Sequence, residues 1–69
     1  MPTLGTIYTY VCASGTQCVA ICSGTQGNGS FYLSVLVNPG EALFAQWGPV
    51  ACLADVIHDP TGMTPNSYH

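Results

Sequence analysis

The four cysteines are the residues of this 69-residue chain best suited to chemistry. Cys12, Cys18 and Cys22 are close in sequence, and Cys52 is distant. This spacing matches no zinc-binding pattern. If residues 17–23 form a strand, Cys18 and Cys22 are about 13 Å apart, which is too far to share one metal ion. We therefore expect no metal site.

Cys12 and Cys18 flank a short turn, Ala13-Ser14-Gly15-Thr16. Residues on either side of such a turn can face each other across a hairpin, and a disulfide between them is then sterically feasible. The other interpretation is that these cysteines are free and pack as small buried hydrophobic side chains. The sequence favours free cysteines but leaves both interpretations open, and redox or metal chemistry is the least favoured.

The remaining titratable residues do not form a catalytic group. Cys52 and His58 would lie about 20 Å apart on one strand, which is too far for a nucleophile and its base. The carboxylates of Glu41, Asp55 and Asp59 are not paired by spacing, and no cation is present to accompany them. The glycine-rich run 24–29 lacks the lysine and the following helix of a phosphate loop. We expect no enzyme and no cofactor.

The chain is almost uncharged, which excludes several classes of partner. Only 4% of its residues are charged and none is Lys or Arg, whereas about 25% is typical of soluble domains. Binding to nucleic acids or to anionic membranes requires Lys or Arg, so we expect neither. No apolar run is long enough to span a membrane, and no basic and apolar leader of the Sec type is recognisable.

The same composition predicts self-association. Hydrophobic residues make up 48% of the chain, and domains of this size bury only about 60% of their surface. A surface with so little charge does not keep a protein monomeric. Packing against copies of itself is the simplest way to cover the apolar surface that remains.

Short runs rich in Thr, Val, Ile, Tyr and Phe, separated by Gly and Pro, predict strands rather than helices. We expect an all-β fold, a small antiparallel sandwich or barrel of about five short strands. Residues 1–58 would form this β-sandwich domain, and residues 59–69 an extended C-terminal tail that stays free unless a neighbour docks it. The predicted strands are 6–12, 17–23, 30–37, 41–46 and 50–58, the last with a kink at Ala54-Asp55.

The third predicted strand indicates which side chains meet a partner. Its alternation places Leu33 and Val35 on one face and Tyr32 and Leu36 on the other, so both faces are apolar. We expect one face to form the core and the other to contact another subunit. The residues predicted at the subunit or partner interface are Tyr32, Leu36, Phe44 and Trp47.

The order of strands and turns also resembles a known class of protein. The chain contains, in order, the opening LGTIYTYV, the segment VAICSGTQGNGSFYLSVLV, the turn NPGEALF, WGP and LADVI. This order resembles that of small β-sandwich virion proteins of bacteriophages. The resemblance covers about residues 4–57. The four cysteines and the lack of Lys and Arg depart from that pattern.

This resemblance implies a non-enzymatic structural protein located in the virion. It would be a capsid decoration (cement) protein, a head spike or a fibre-attachment module, commonly a homotrimer, with the major capsid or tail protein as its partner. The alternative is a small secreted, disulfide-bonded carbohydrate-binding module, since Tyr8 and Tyr10 share one face and polar side chains are abundant. Four free thiols would argue against that alternative.

Overall fold

The computed structural model describes residues 2–27 and 29–69. Within these residues the chain is mostly strand, 43%, with one short helix. The elements are β1 (Ile7–Val11), β2 (Gln17–Thr25), β3 (Phe31–Leu36), α1 (Ala42–Trp47), β4 (Val50–Ala54), β5 (Ile57–His58) and β6 (Ser67–Tyr68).

The strands of the described residues form one sheet of six strands, in the order β4-β3-β2-β1-β6-β5. Neighbouring strands are antiparallel, except that β5 runs parallel to β6. The sheet curls into a half-barrel. The predicted small all-β fold is confirmed, with a single curled mixed sheet as its architecture.

Alternation along the central strands separates an inner face from an outer face. On β2, Cys18, Ala20 and Cys22 are buried, and the residues between them are exposed. On β3, Leu33 and Val35 are completely buried, as the sequence predicts. Ala20 pairs with Val35 and Cys22 with Leu33, so these buried side chains meet on the inner face and form the core.

The fourth predicted strand, 41–46, is wrong, because Ala42–Trp47 is a helix. Ala, Leu and Gln all have good helix propensity, and the segment ends at Gly48, whose φ of 84° is readily adopted by glycine. Leu43 and Phe44 pack from this helix against the core.

The fifth predicted strand is interrupted near the expected kink. Asp55 has a φ of 51° and separates β4 from β5. Its carboxylate Oδ1 accepts a hydrogen bond from the Phe31 backbone N–H at 3.1 Å, and its own N–H donates to the Phe31 carbonyl at 3.0 Å. Asp is one of the residues that tolerates this conformation.

The prediction of a free C-terminal tail over residues 59–69 needs correction. The chain returns to the sheet, and β6 inserts between β1 and β5, with Ser67 and Tyr68 both buried. The backbone of His69 exchanges two hydrogen bonds of 2.9 Å with Thr9. The tail docks on its own domain because the Tyr68 ring packs against the rings of Tyr8 and Phe31 on the inner face.

Candidate functional site

The outer face of the sheet is an exposed apolar surface. Its large or apolar residues, contributed by β1 to β4, are Ile7, Val19, Ile21, Tyr32, Leu36, Val50 and Cys52. Large aliphatic side chains on it are solvent-exposed, with 67% of Ile7, 53% of Leu36 and 50% of Val19 accessible. Isolated exposed hydrophobic residues are common, but a contiguous group of them marks an interaction site.

Strand register makes this face continuous. Ile21 pairs with Ile7 on one side and with Ser34 on the other, and Ser34 pairs with Cys52. Leu36 pairs with Val50 in the neighbouring row. Paired residues in adjacent strands have Cβ atoms about 5 Å apart. The face therefore extends over four strands, with Ile21 near the middle and Ser34 between Ile21 and Cys52.

None of the three carboxylate residues lies in a strand of the sheet. Glu41 precedes α1, Asp55 follows β4, and Asp59 lies in the C-terminal loop. Two polar side chains of the face bond to each other: the Ser34 hydroxyl donates to the Ser23 hydroxyl at 2.8 Å. Burying this face would therefore desolvate no ionised side chain, which is the costliest kind of burial.

The four residues predicted at an interface do not all lie on one surface of the structure. Tyr32 and Leu36 lie on the outer face, as expected from the alternation of β3. Phe44 is partly buried and packs against the core of its own chain, so its contact with a partner stays a prediction. Trp47, at the end of α1, is 47% exposed but does not belong to the outer face.

The interface residues predicted from the sequence do not include most of the aliphatic residues on this face. Those not predicted are Ile7, Val19, Ile21 and Val50. A signal was present, because the segment VAIC in β2 is apolar at consecutive positions rather than at alternate ones. Such a run indicates a strand that is covered on both faces.

The β1–β2 hairpin, whose turn is flanked by Cys12 and Cys18, is the second chemically distinctive feature. Cys12 and Cys18 are both buried, and their Sγ atoms are 3.2 Å apart, in hydrogen-bonding contact as free thiols. Burial, followed by the hydrogen bond with Cys18 and the nearby Glu41, raises the pKa of the Cys12 thiol to about 12. Cys12 is therefore protonated at neutral pH and is a poor nucleophile.

A cavity of about 400 Å³ lies between this hairpin and α1. Cys12 and Glu41 line it, and the Ser14 hydroxyl donates a 2.6 Å hydrogen bond to Glu41 Oε1. Both histidines are elsewhere: His58 packs on Tyr68, and His69 pairs with β1. The cavity thus brings together a protonated thiol, a hydroxyl and a carboxylate without an imidazole base beside them.

The other candidate groups are dispersed. Cys52 on β4 and His58 on β5 occupy opposite edges of the sheet, so they do not form a nucleophile and base pair. Among residues 2–27 and 29–69, no three His, Cys, Asp or Glu side chains cluster closely enough to hold a metal ion. Over the same ranges, no helix has the length and apolarity needed to cross a bilayer.

Tyr8 and Tyr10, considered as a carbohydrate platform, point to the inner side of the sheet. Tyr10 is 3% exposed, and its hydroxyl donates to Asn66 Oδ1 at 3.1 Å. The Tyr8 ring packs against Tyr68. Stacking on a sugar requires exposed ring faces, so these two rings do not provide such a platform.

The chain matches no protein-family model, no curated protein and no solved structure. The resemblance to bacteriophage virion modules therefore rests on the pattern of strands and turns alone.

Proposed function

We propose that this chain is a non-enzymatic structural protein that assembles with copies of itself through the outer face. The observation that carries this proposal is the group of exposed, uncharged aliphatic side chains on the outer face around Ile21. Each large aliphatic side chain that becomes fully buried contributes about 1.5–3 kcal/mol. A few such residues, repeated around a symmetric assembly, hold it together.

A second copy is the occupant that suits this face best. The chain carries a formal net charge of −3, all of it from carboxylates that lie off the outer face. Two copies that meet through this face bring no like charges into contact. A strongly charged partner would gain no complementary group there.

We further propose that the assembly is a homotrimer that decorates a virus shell, as a capsid cement protein or a spike component. This part rests on the resemblance of residues 4–57 to phage virion modules and on the lack of Lys and Arg. A chain without those residues offers trypsin-like proteases no cleavage site, which suits an exposed particle.

The test is whether the chain is a fixed component of a virus particle. Mass spectrometry of purified particles from the source culture should find it at a constant ratio to the major shell protein. Stripped particles should rebind the wild-type chain and the Met63→Glu variant, whose change lies in the C-terminal loop. Ile21→Glu should fail to rebind. Absence of the chain from particles would overturn the virion assignment.

A further inference from the structure

The β1–β2 hairpin holds two cysteine side chains in one place. Tyr10 pairs with Cys18, and Cys12 follows two residues later on the same inner face. The turn is fixed by hydrogen bonds of 2.8 Å from the Cys12 N–H to the Thr16 carbonyl and from the Gly15 N–H to the Cys12 carbonyl. The backbone therefore keeps the two cysteines side by side.

The two sulfur atoms are only about 1 Å further apart than in a disulfide. The Sγ atoms of Cys12 and Cys18 are 3.2 Å apart, and a disulfide needs about 2.05 Å. A small rotation of one or both side chains would shorten the distance by about 1 Å, with no backbone movement.

The other two cysteines have different surroundings. Cys22 is fully buried further along β2, and its thiol is 3.8 Å from the Gly24 carbonyl oxygen. Cys22 lies four residues beyond Cys18 on the same strand, a span of about 13 Å. Cys52 is exposed on the outer face, so the sheet separates it from the three inner thiols.

We propose that Cys12 and Cys18 form an intramolecular disulfide when the folded chain meets an uncharged low-molecular-weight disulfide. One cysteine thiolate attacks a sulfur of the reagent, the reagent S–S bond breaks, and one small thiol leaves. The second cysteine thiolate then attacks the mixed disulfide at the protein sulfur and releases a second small thiol. The protein loses two electrons and two protons, and the reagent gains them. This inference is independent of the proposed virion function.

The surroundings of Cys12 determine which oxidant is suitable. Cys12 borders the cavity between the hairpin and α1, and Glu41 lines the same cavity. The Glu41 carboxylate repels an anionic disulfide such as oxidised glutathione, whereas bis(2-hydroxyethyl) disulfide carries no charge. Because the buried Cys12 is largely protonated, the reaction is faster in mildly alkaline solution.

The experiment uses the full chain with Cys52→Ser, which removes the exposed thiol and prevents links between chains. The folded protein is incubated with bis(2-hydroxyethyl) disulfide near neutral to mildly alkaline pH, quenched in acid, unfolded and treated with N-ethylmaleimide. We expect a mass two hydrogens lower, with a single maleimide added at Cys22. Adding Cys22→Ser should keep the loss of two hydrogens. Adding Cys12→Ser or Cys18→Ser should abolish it.

Three maleimides on the oxidant-treated Cys52→Ser chain, or a mass loss that persists with Cys12→Ser, would overturn the proposal. A second measurement does not depend on the folding of those variants. Chymotryptic fragments of the oxidised Cys52→Ser chain should give no backbone fragment ions between residues 12 and 18, while cleavage between residues 18 and 22 continues. A link that includes Cys22 would contradict the assignment.

Discussion

The ring of Tyr68 packs edge-on against the ring of Tyr8, with centroids 5.3 Å apart and an interplanar angle of 78°. Phe31 contacts Tyr68 in the same manner, at 5.8 Å. One residue near the end of the chain thus joins β1 and β3 across the inner face. This contact explains why the C-terminal residues belong to the sheet.

Removing the Tyr68 ring should destabilise the whole fold. Tyr68→Ala deletes a buried aromatic side chain and leaves Tyr8 and Phe31 without their edge contacts, and such changes cost about 3–5 kcal/mol. Tyr68→Phe keeps the ring and should retain most of the stability. Urea unfolding followed by circular dichroism measures both. A Tyr68→Ala chain as stable as the wild type would show that the C-terminal strand is not part of the folding unit.

The same substitution at the two leucines of β3 should lower the stability by very different amounts. Leu33 is completely buried on the inner face, whereas Leu36 is 53% exposed on the outer face. Leu33→Ala should cost about 2–5 kcal/mol, because it opens a cavity in the core. Leu36→Ala should cost less than about 1 kcal/mol in a chain that does not associate.

Urea unfolding of both leucine variants in an Ile21→Glu background separates folding from assembly. Equal losses of stability at the two positions would contradict the assignment of the inner and outer faces.

The C-terminal loop should open in acid because of Asp59. Its Oδ2 accepts a 2.9 Å hydrogen bond from the Thr64 N–H, and its Oδ1 accepts one of 3.0 Å from the Thr61 N–H. Hydrogen bonds from Thr64 and Thr61 lower the pKa of Asp59 below its usual range. The folded loop thus favours the carboxylate, and the stabilisation is complete above the unfolded pKa of about 3.9. It is lost as the pH falls through the lower folded pKa.

Amide hydrogen exchange read by NMR measures this opening. Protection of the Thr64 amide should be constant above pH about 5 and decline steadily below about 3.9. Asp59→Asn should remove most of that protection at neutral pH, because its amide group offers fewer acceptor sites. Asp55→Asn, at the end of β4, is the matched control and should leave the Thr64 amide unchanged. Protection that is independent of pH would be inconsistent with this role of Asp59.

Much of the sheet was predictable from local sequence, because alternation determines which side chains share a face. The pattern around Leu33 and Leu36 predicts both the core and the exposed apolar surface of β3. Both need only the two-residue period of a strand. The kink predicted at Ala54-Asp55 coincides with the interruption between β4 and β5.

The elements that were missed depend on tertiary contacts or on very short segments. Helix α1 has six residues, too few to show helical periodicity, and it is held by the packing of Leu43 and Phe44 on the core. Strand β6 has two residues and is placed by the burial of Tyr68. The continuity of the outer face depends on register, which brings Ile7, Ile21 and Cys52 into one row.

The central claim, that the chain assembles through its outer face, is tested most directly by sedimentation equilibrium. The wild type and Met63→Glu, which places a charge at an exposed site outside the face, should both sediment as one oligomer at about three times the chain mass of 7.2 kDa. Ile21→Glu buries a carboxylate in the contact and should sediment as a folded monomer. A wild-type chain that remains a 7.2 kDa monomer at high concentration would contradict the account.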